Sequence, residues 1–321
     1  MKLSYLSIPN FVTHRGVELE EVVLSYEVAG CPLGTAPIVL VCHALTGNSS
    51  VAGPTGWWAS LIGEGQGIDT RAYTILSFNI PGNGYDGRLC YSFDAFDLKD
   101  VARLFVAGVE QLGIEQIEIV LGASMGGALV WQIGALIPDK CQQLIPIASH
   151  YKASDWLLAQ TEVQRLLLEG PKPLEHARIH GMLCYRTPQS LNHRFSGEQC
   201  SDGTPKILDW LHYHGKALAE RFQLHAYQVM TYLTSTIAVA QRAEELRFLR
   251  EKVSIVSIDS DLLFPHYEAE ETAATLGVPL YTIHSEHGHD AFLMAYDQLT
   301  EIIHDILLNN ENQHYDSNED R

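Results

Sequence analysis

IEIVLGASMGG, running from Ile117 to Gly127, joins an apolar run of the kind a buried strand makes to a serine set among glycines. Its second half, Gly122-Ala123-Ser124-Met125-Gly126, is a G-x-S-x-G pattern, and the following GGALVWQIGAL reads as a helix. Between a strand and a helix this pattern makes a nucleophile elbow. The turn is sharp enough to lift the serine into the open, and glycines on either side remove Cβ atoms that would clash. The competing reading, in which the glycines only let helix and strand pack closely, leaves the serine between them unexplained.

The flanking sequence repeats the arrangement. Upstream, Ile38 to Cys42 is a continuous apolar run ending in the turn His43-Ala44-Leu45-Thr46-Gly47, and YTILSFNIPG ends in Pro81-Gly82-Asn83-Gly84. FDLKDVARLFVAGVEQLGI has helical apolar spacing and stops at Gly113; QLIPIASH is the next buried strand. Before these, Val17 to Gly30 partly alternates, as one arm of a half-buried antiparallel hairpin does. From Tyr151 to Glu245 the rhythm turns wholly helical. Strands resume at KVSIVSIDSD and VPLYTIHSEHGHD, and AFLMAYDQLTEIIHDILL is a final helix. Alternating strands and helices predict an α/β fold, a mostly parallel sheet flanked by helices. The expected core is 1–150 with 246–308, the inserted helical cap 151–245, and a disordered polar tail 309–321.

A serine hydroxyl needs a histidine to take its proton and a carboxylate to hold that histidine in the right tautomer. In enzymes built on such an elbow the chain order is serine, acid, base. Asp259 and Asp261 compete for the acid after KVSIVSI; His284, His287 and His289 compete for the base after PLYTI. Asp261 and His289 are preferred because each lies beyond its strand, in a loop where side chains can converge on Ser124. The oxyanion donors are expected from the backbone N–H of Met125, just after the nucleophile, and of Leu45 in the first turn.

The chain has 321 residues, 46% hydrophobic and 19% charged, with a formal net charge of -18. That charge disfavours nucleic acid, whose phosphates need a basic surface, and favours small-molecule substrates. No stretch is apolar enough for a membrane span, and the N-terminus does not read as a secretory signal, so a cytoplasmic protein is expected. Cys31, Cys42, Cys90, Cys141, Cys184 and Cys200 form no paired framework, which predicts free thiols. His176 and His180 share a helix face, but without a HExxH glutamate or a third ligand no metal site is expected.

Further stretches carry a resemblance: HALTG at His43 to Gly47, GWWASLIGEGQGIDT at Gly56 to Thr70, GASMGG at Gly122 to Gly127, YRT and a later RF between Tyr185 and Phe195, SDLLFP at Ser260 to Pro265, and GHDAFL at Gly288 to Leu293. With these the chain resembles the homoserine O-acetyltransferase family, on the α/β-hydrolase fold, over most of its length. The resemblance implies an acyltransferase with a Ser124, Asp261 and His289 triad. It also implies coenzyme A thioester as cosubstrate with no other cofactor, L-homoserine as acceptor, and a homodimer formed through the cap, with YLTSTIAVAQ near the contact. Arg186 is expected on the substrate carboxylate and Asp290 on its ammonium, with Tyr185 beside them. Two stretches depart from the family: a shorter loop, FNIPGNGYDGRL, and a cap helix ending in TSTIAVAQRAEEL without the aspartate pattern common there.

Overall fold

A computed structural model of the chain describes residues 2–90 and 95–319, with side chains through Asn309. The chain opens with an antiparallel hairpin, β1 (Ser4–Val12) and β2 (Glu18–Gly30), in a register that pairs Ser4 with Tyr26 and Val12 with Glu18. There follow β3 (Ile38–Cys42), the short parallel pair β4 (Ile62–Gly63) and β5 (Ile68–Asp69), and β6 (Thr74–Phe78). Helix α1 (Leu98–Gln111), β7 (Ile117–Ala123), α2 (Met125–Leu136) and β8 (Cys141–Ile147) complete the first half. Asp97 starts α1 with a reciprocal capping box to Asp100, which satisfies backbone donors that a helix start leaves open.

Five helices come next: α3 (Asp155–Glu169), α4 (Pro173–Tyr185), α5 (Pro188–Phe195), α6 (Lys206–Arg221) and α7 (Leu224–Ser235). Leu168, Leu174, Ala177, Leu218 and Tyr227 give them a small core of their own. The chain rejoins the sheet domain where Ala153 N–H donates to Ile237 O and Val239 N–H to Tyr151 O. It then continues through β9 (Ile255–Ile258), α8 (His266–Leu276), β10 (Leu280–Ile283) and α9 (Tyr296–Glu319).

The eight-stranded sheet runs β1-β2-β6-β3-β7-β8-β9-β10, parallel from β6 onward. β3 and β6 are buried at every position, as strands covered on both faces must be. One apolar layer, with Phe105, Leu129 and Trp131, covers one face; another, with Trp58, Ile68 and Ile303, covers the other.

Two boundaries differ from expectation. The final helix does not begin at Ala291, because Gly288–Leu293 forms a 3-10 turn, entered through Gly288 at φ 66, before α9 starts at Tyr296. At its other end α9 runs on through Glu319, into the segment expected as a tail from 309, although its buried face ends at Ile306. Side chains beyond Asn309 lie outside those described. Among the described residues no helix is long and apolar enough to cross a membrane.

Candidate active site

Ser124 sits between β7 and α2 with φ 59 and ψ -128, a backbone conformation in which a non-glycine residue is strained. The turn is held by its surroundings: Ser124 N–H donates to Ile147 O at 2.9 Å, and Ser124 O accepts from Gly127 N–H at 2.9 Å. Gly126 is required, since a Cβ there would lie 2.2 Å from Cys42 O. Met125 opens α2, so its N–H is one of those a helix leaves without an internal partner.

Two loops at neighbouring strand ends bring together the aspartate and the histidine expected as acid and base. After β9, Asp261 is buried and its Oδ1 accepts from Leu263 N–H at 2.8 Å and Phe264 N–H at 2.9 Å. Its Oδ2 meets His289 Nδ1 at 2.7 Å. Ser260 ties the loops together, its hydroxyl accepting from Gly288 N–H at 3.1 Å and donating to Ser285 O. The imidazole of His289 is walled by Phe264, Phe292 and Tyr185, with ring centroids at 5.6, 5.3 and 5.8 Å. With Nδ1 committed to Asp261, Nε2 is the ring nitrogen left for the cavity that Ser124 and His289 both line. Asp259 and His284 pair with each other instead, at 3.0 Å on the surface.

The turn after β3 forms the facing wall. His43 is fully buried; its Nε2 accepts from Ile80 N–H at 3.0 Å, so its proton is on Nδ1, which donates to Ala44 O at 2.8 Å. Burial lowers its pKa to about 4, which keeps the ring neutral. Below it, Asn79 Oδ1 accepts from Ser49 N–H at 2.9 Å while Ser49 Oγ donates to the buried Glu27 at 2.6 Å. These bonds fix the loop that carries Leu45, which lines the cavity beside Ser124.

The cavity holds about 440 Å³ between sheet and cap. Arg178, Tyr185 and Asp290 line it together with Ser124 and His289. The Arg178 guanidinium lies 5.6 Å from the centre of the Tyr185 ring. Burial raises the Asp290 pKa, and the positive charges of Arg178 and Arg186 oppose that shift. Burial also pushes the Tyr185 phenol well up, so it stays a neutral hydroxyl. Trp57 adds an apolar wall, and Trp58 locks that segment to the loop that carries His289 by donating from Nε1 to Phe292 O at 3.1 Å.

Arg186 is a correction. It is buried but does not line the cavity; Nη2 donates to Ser190 Oγ at 2.7 Å and approaches His287 Nδ1 at 3.3 Å, while Nε has no partner. Arginine cannot accept, so His287 must carry its proton on Nε2, and the group clamps the cap onto the loop that carries His287 and His289. Two other arginines, Arg178 on α4 and Arg221 at the end of α6, line the cavity, and Arg178 is the one beside Tyr185. It stands two helical turns before Tyr185 and hence on the same face of α4, a spacing that could have found it. His180 Nδ1 is engaged by Gln164 Nε2 at 2.8 Å, and no group of three metal-binding side chains occurs among the described residues.

A family model described as the alpha/beta hydrolase fold matches residues 37–171. The homoserine O-acetyltransferase of Salinibacter ruber is 31% identical over 338 residues, covering 93% of this chain and 95% of that protein. The crystal structure of homoserine O-acetyltransferase from Staphylococcus aureus superposes with a TM-score of 0.82 at 24% identity, over 95% of each chain. Esterase E22 superposes with the same TM-score of 0.82 at 17% identity, over 94% of this chain and 98% of its own. The two structural matches speak to the fold alone.

Proposed function

The chain belongs to the homoserine O-acetyltransferase family and is an acyltransferase, and from that premise we propose that it moves an acetyl group from acetyl-CoA to the hydroxyl of L-homoserine. The observation that carries the acceptor is the placement of Arg178 and Asp290 in the same cavity as Ser124 and His289. An amino-acid zwitterion brings a carboxylate and an ammonium into a partly desolvated site, and each needs a partner of opposite charge. Arg178 meets the carboxylate, Asp290 the ammonium, and the Tyr185 hydroxyl adds a hydrogen bond.

In the first half-reaction His289 Nε2 takes the Ser124 proton as Oγ attacks the thioester carbonyl carbon, while Asp261 stabilises the imidazolium. The oxyanion is received by the N–H groups of Leu45 and Met125. The C–S bond breaks, the thiol leaves with the proton from His289, and an acetyl ester remains on Ser124. In the second half His289 deprotonates the homoserine hydroxyl, which attacks that ester; the proton returns to Ser124 as O-acetylhomoserine departs. The thioester already carries an activated acyl group, so the sequence of steps calls for no metal or redox group.

The test is CoA release with and without L-homoserine, with mass spectrometry of the product. Homoserine should accelerate release and yield O-acetylhomoserine, and Ser124→Ala should abolish both. Arg178→Gln should raise the homoserine KM by about 10- to 100-fold, the size expected for a lost charge-assisted hydrogen bond in a desolvated site. CoA release indifferent to homoserine, together with cleavage of p-nitrophenyl acetate, would make the protein a hydrolase.

The same reading includes a cytoplasmic homodimer formed through the cap. Helix α3 exposes Trp156, Leu158, Val163 and Leu166, and a groove of about 420 Å³ between α3 and α7 is partly apolar. From the YLTSTIAVAQ segment Tyr232 and Ser235 reach this groove, whereas Leu233, Thr234 and Ile237 are buried within the chain. Light scattering should find twice the 35.7 kDa chain mass, and a monomer at micromolar concentration would count against the pairing.

A further inference from the structure

Arg221 ends α6 and lines two adjoining cavities: the catalytic one, and a narrower cleft of about 90 Å³ that shares with it Thr46, Gly47 and Asn48. The rest of the cleft includes Asn83, Tyr85 and Gln223, side chains that offer amide and hydroxyl groups. Among the described residues Arg221 has no hydrogen bond or ion pair. Partial burial and the nearby Arg178 both lower its pKa, so the guanidinium is short of solvent and close to a like charge. Such a group asks for an anion from outside the chain.

The path of the donor points to the same cleft. In the thioester-transfer reading the carbonyl oxygen is received by Leu45 N–H, and Arg178, Tyr185 and Asp290 hold the amino acid. The remainder of the donor therefore passes along the loop that carries Leu45, and Thr46, Gly47 and Asn48 are the continuation of that loop into the cleft. We propose that this cleft seats the carrier arm of the acyl donor, with Asn48, Asn83 and Gln223 bonding its amide groups and Arg221 pairing with its phosphates. The inference rests on the thioester-transfer reading above.

The test compares acetyl-CoA with the acetyl thioester of N-acetylcysteamine, which keeps the reacting bond but lacks the phosphates, in wild-type protein, Arg221→Gln and Arg221→Lys. In Arg221→Gln the ratio of kcat/KM for acetyl-CoA to that for the short thioester should fall about tenfold, through KM, as expected for one lost charge-assisted contact. Arg221→Lys, which keeps the charge but not the fork, should recover part of the ratio. An unchanged ratio in Arg221→Gln overturns the inference, as does a rise in homoserine KM in its place, which would move Arg221 to the acceptor. Wild-type protein that takes acetyl from the short thioester yet ignores acetyl-CoA breaks the donor reading and this inference together, and that result is seen before any variant is made.

Discussion

β9 and β10 each end in a loop, and between the two loops run two aspartate–histidine pairs with opposite fates. Asp259 and His284 meet at 3.0 Å with their side chains 38% and 75% exposed; Asp261 and His289 meet at 2.7 Å with theirs 0% and 4% exposed. Residue types and separation barely distinguish them. What differs is the enclosure: Asp261 is fixed by two backbone amides and His289 by three aromatic rings, whereas Asp259 accepts from one backbone amide and the outer pair stands open to water. An attraction of about 1 kcal/mol between unit charges at 4 Å in water grows severalfold as the surroundings lose polarity. The enclosed pair can therefore stabilise an imidazolium, and its histidine lines the same cavity as Ser124.

The largest test of this contrast exchanges each carboxylate for an amide of the same shape. Asp261→Asn should lower kcat by about 10³- to 10⁴-fold, because the imidazole loses both its tautomer and its counter-charge. Asp259→Asn should stay within about twofold in steady-state acetyl transfer, since it touches neither Ser124 nor the cavity. Comparable losses in the two variants would break the comparison and return the acid to open competition.

How far this site can be read from the residues follows from the same physics. Buried parallel strands announce themselves as apolar runs, and Ser124 stands between glycines whose missing Cβ atoms the turn requires, so sheet and elbow are visible in the sequence. The loops after β9 and β10 have no periodicity, which is why Asp259, His284 and His287 compete with Asp261 and His289, and only position beyond the strand, supported by the family resemblance, favours the latter two. Arg178 is hard to read because an arginine on an amphipathic helix looks like a solvated one; only the fold of α4 over the cavity gives it a task. Arg186, next to Tyr185 in a motif, draws the attention instead, yet the bend at the end of α4 turns it toward Ser190 and His287. The 3-10 turn Gly288–Leu293 is hidden because its apolar residues match a helix start as well.

A third histidine sharpens the comparison, because it is buried with no carboxylate against its ring. His43 donates to Ala44 O and accepts from Ile80 N–H, bonds that require the neutral ring. Its pKa in the folded protein is lowered from 6.5 to about 4 by burial. Between those values the unfolded chain binds the extra proton and the folded chain does not, so stability is full above about pH 6.5 and declines as the pH falls toward 4. The contribution at stake is ~3 kcal/mol, because each tenfold change in proton affinity is worth about 1.4 kcal/mol. Urea unfolding at pH 7 and pH 4.5 should show this loss in the wild-type protein and a shallower decline in His43→Gln, which has nothing to protonate there. Equal declines would mean that other groups set the acid sensitivity and that His43 is not held neutral by its surroundings. A shallower decline would show that burial alone disfavours a charged imidazole, and that the difference between His43 and His289 is the carboxylate of Asp261.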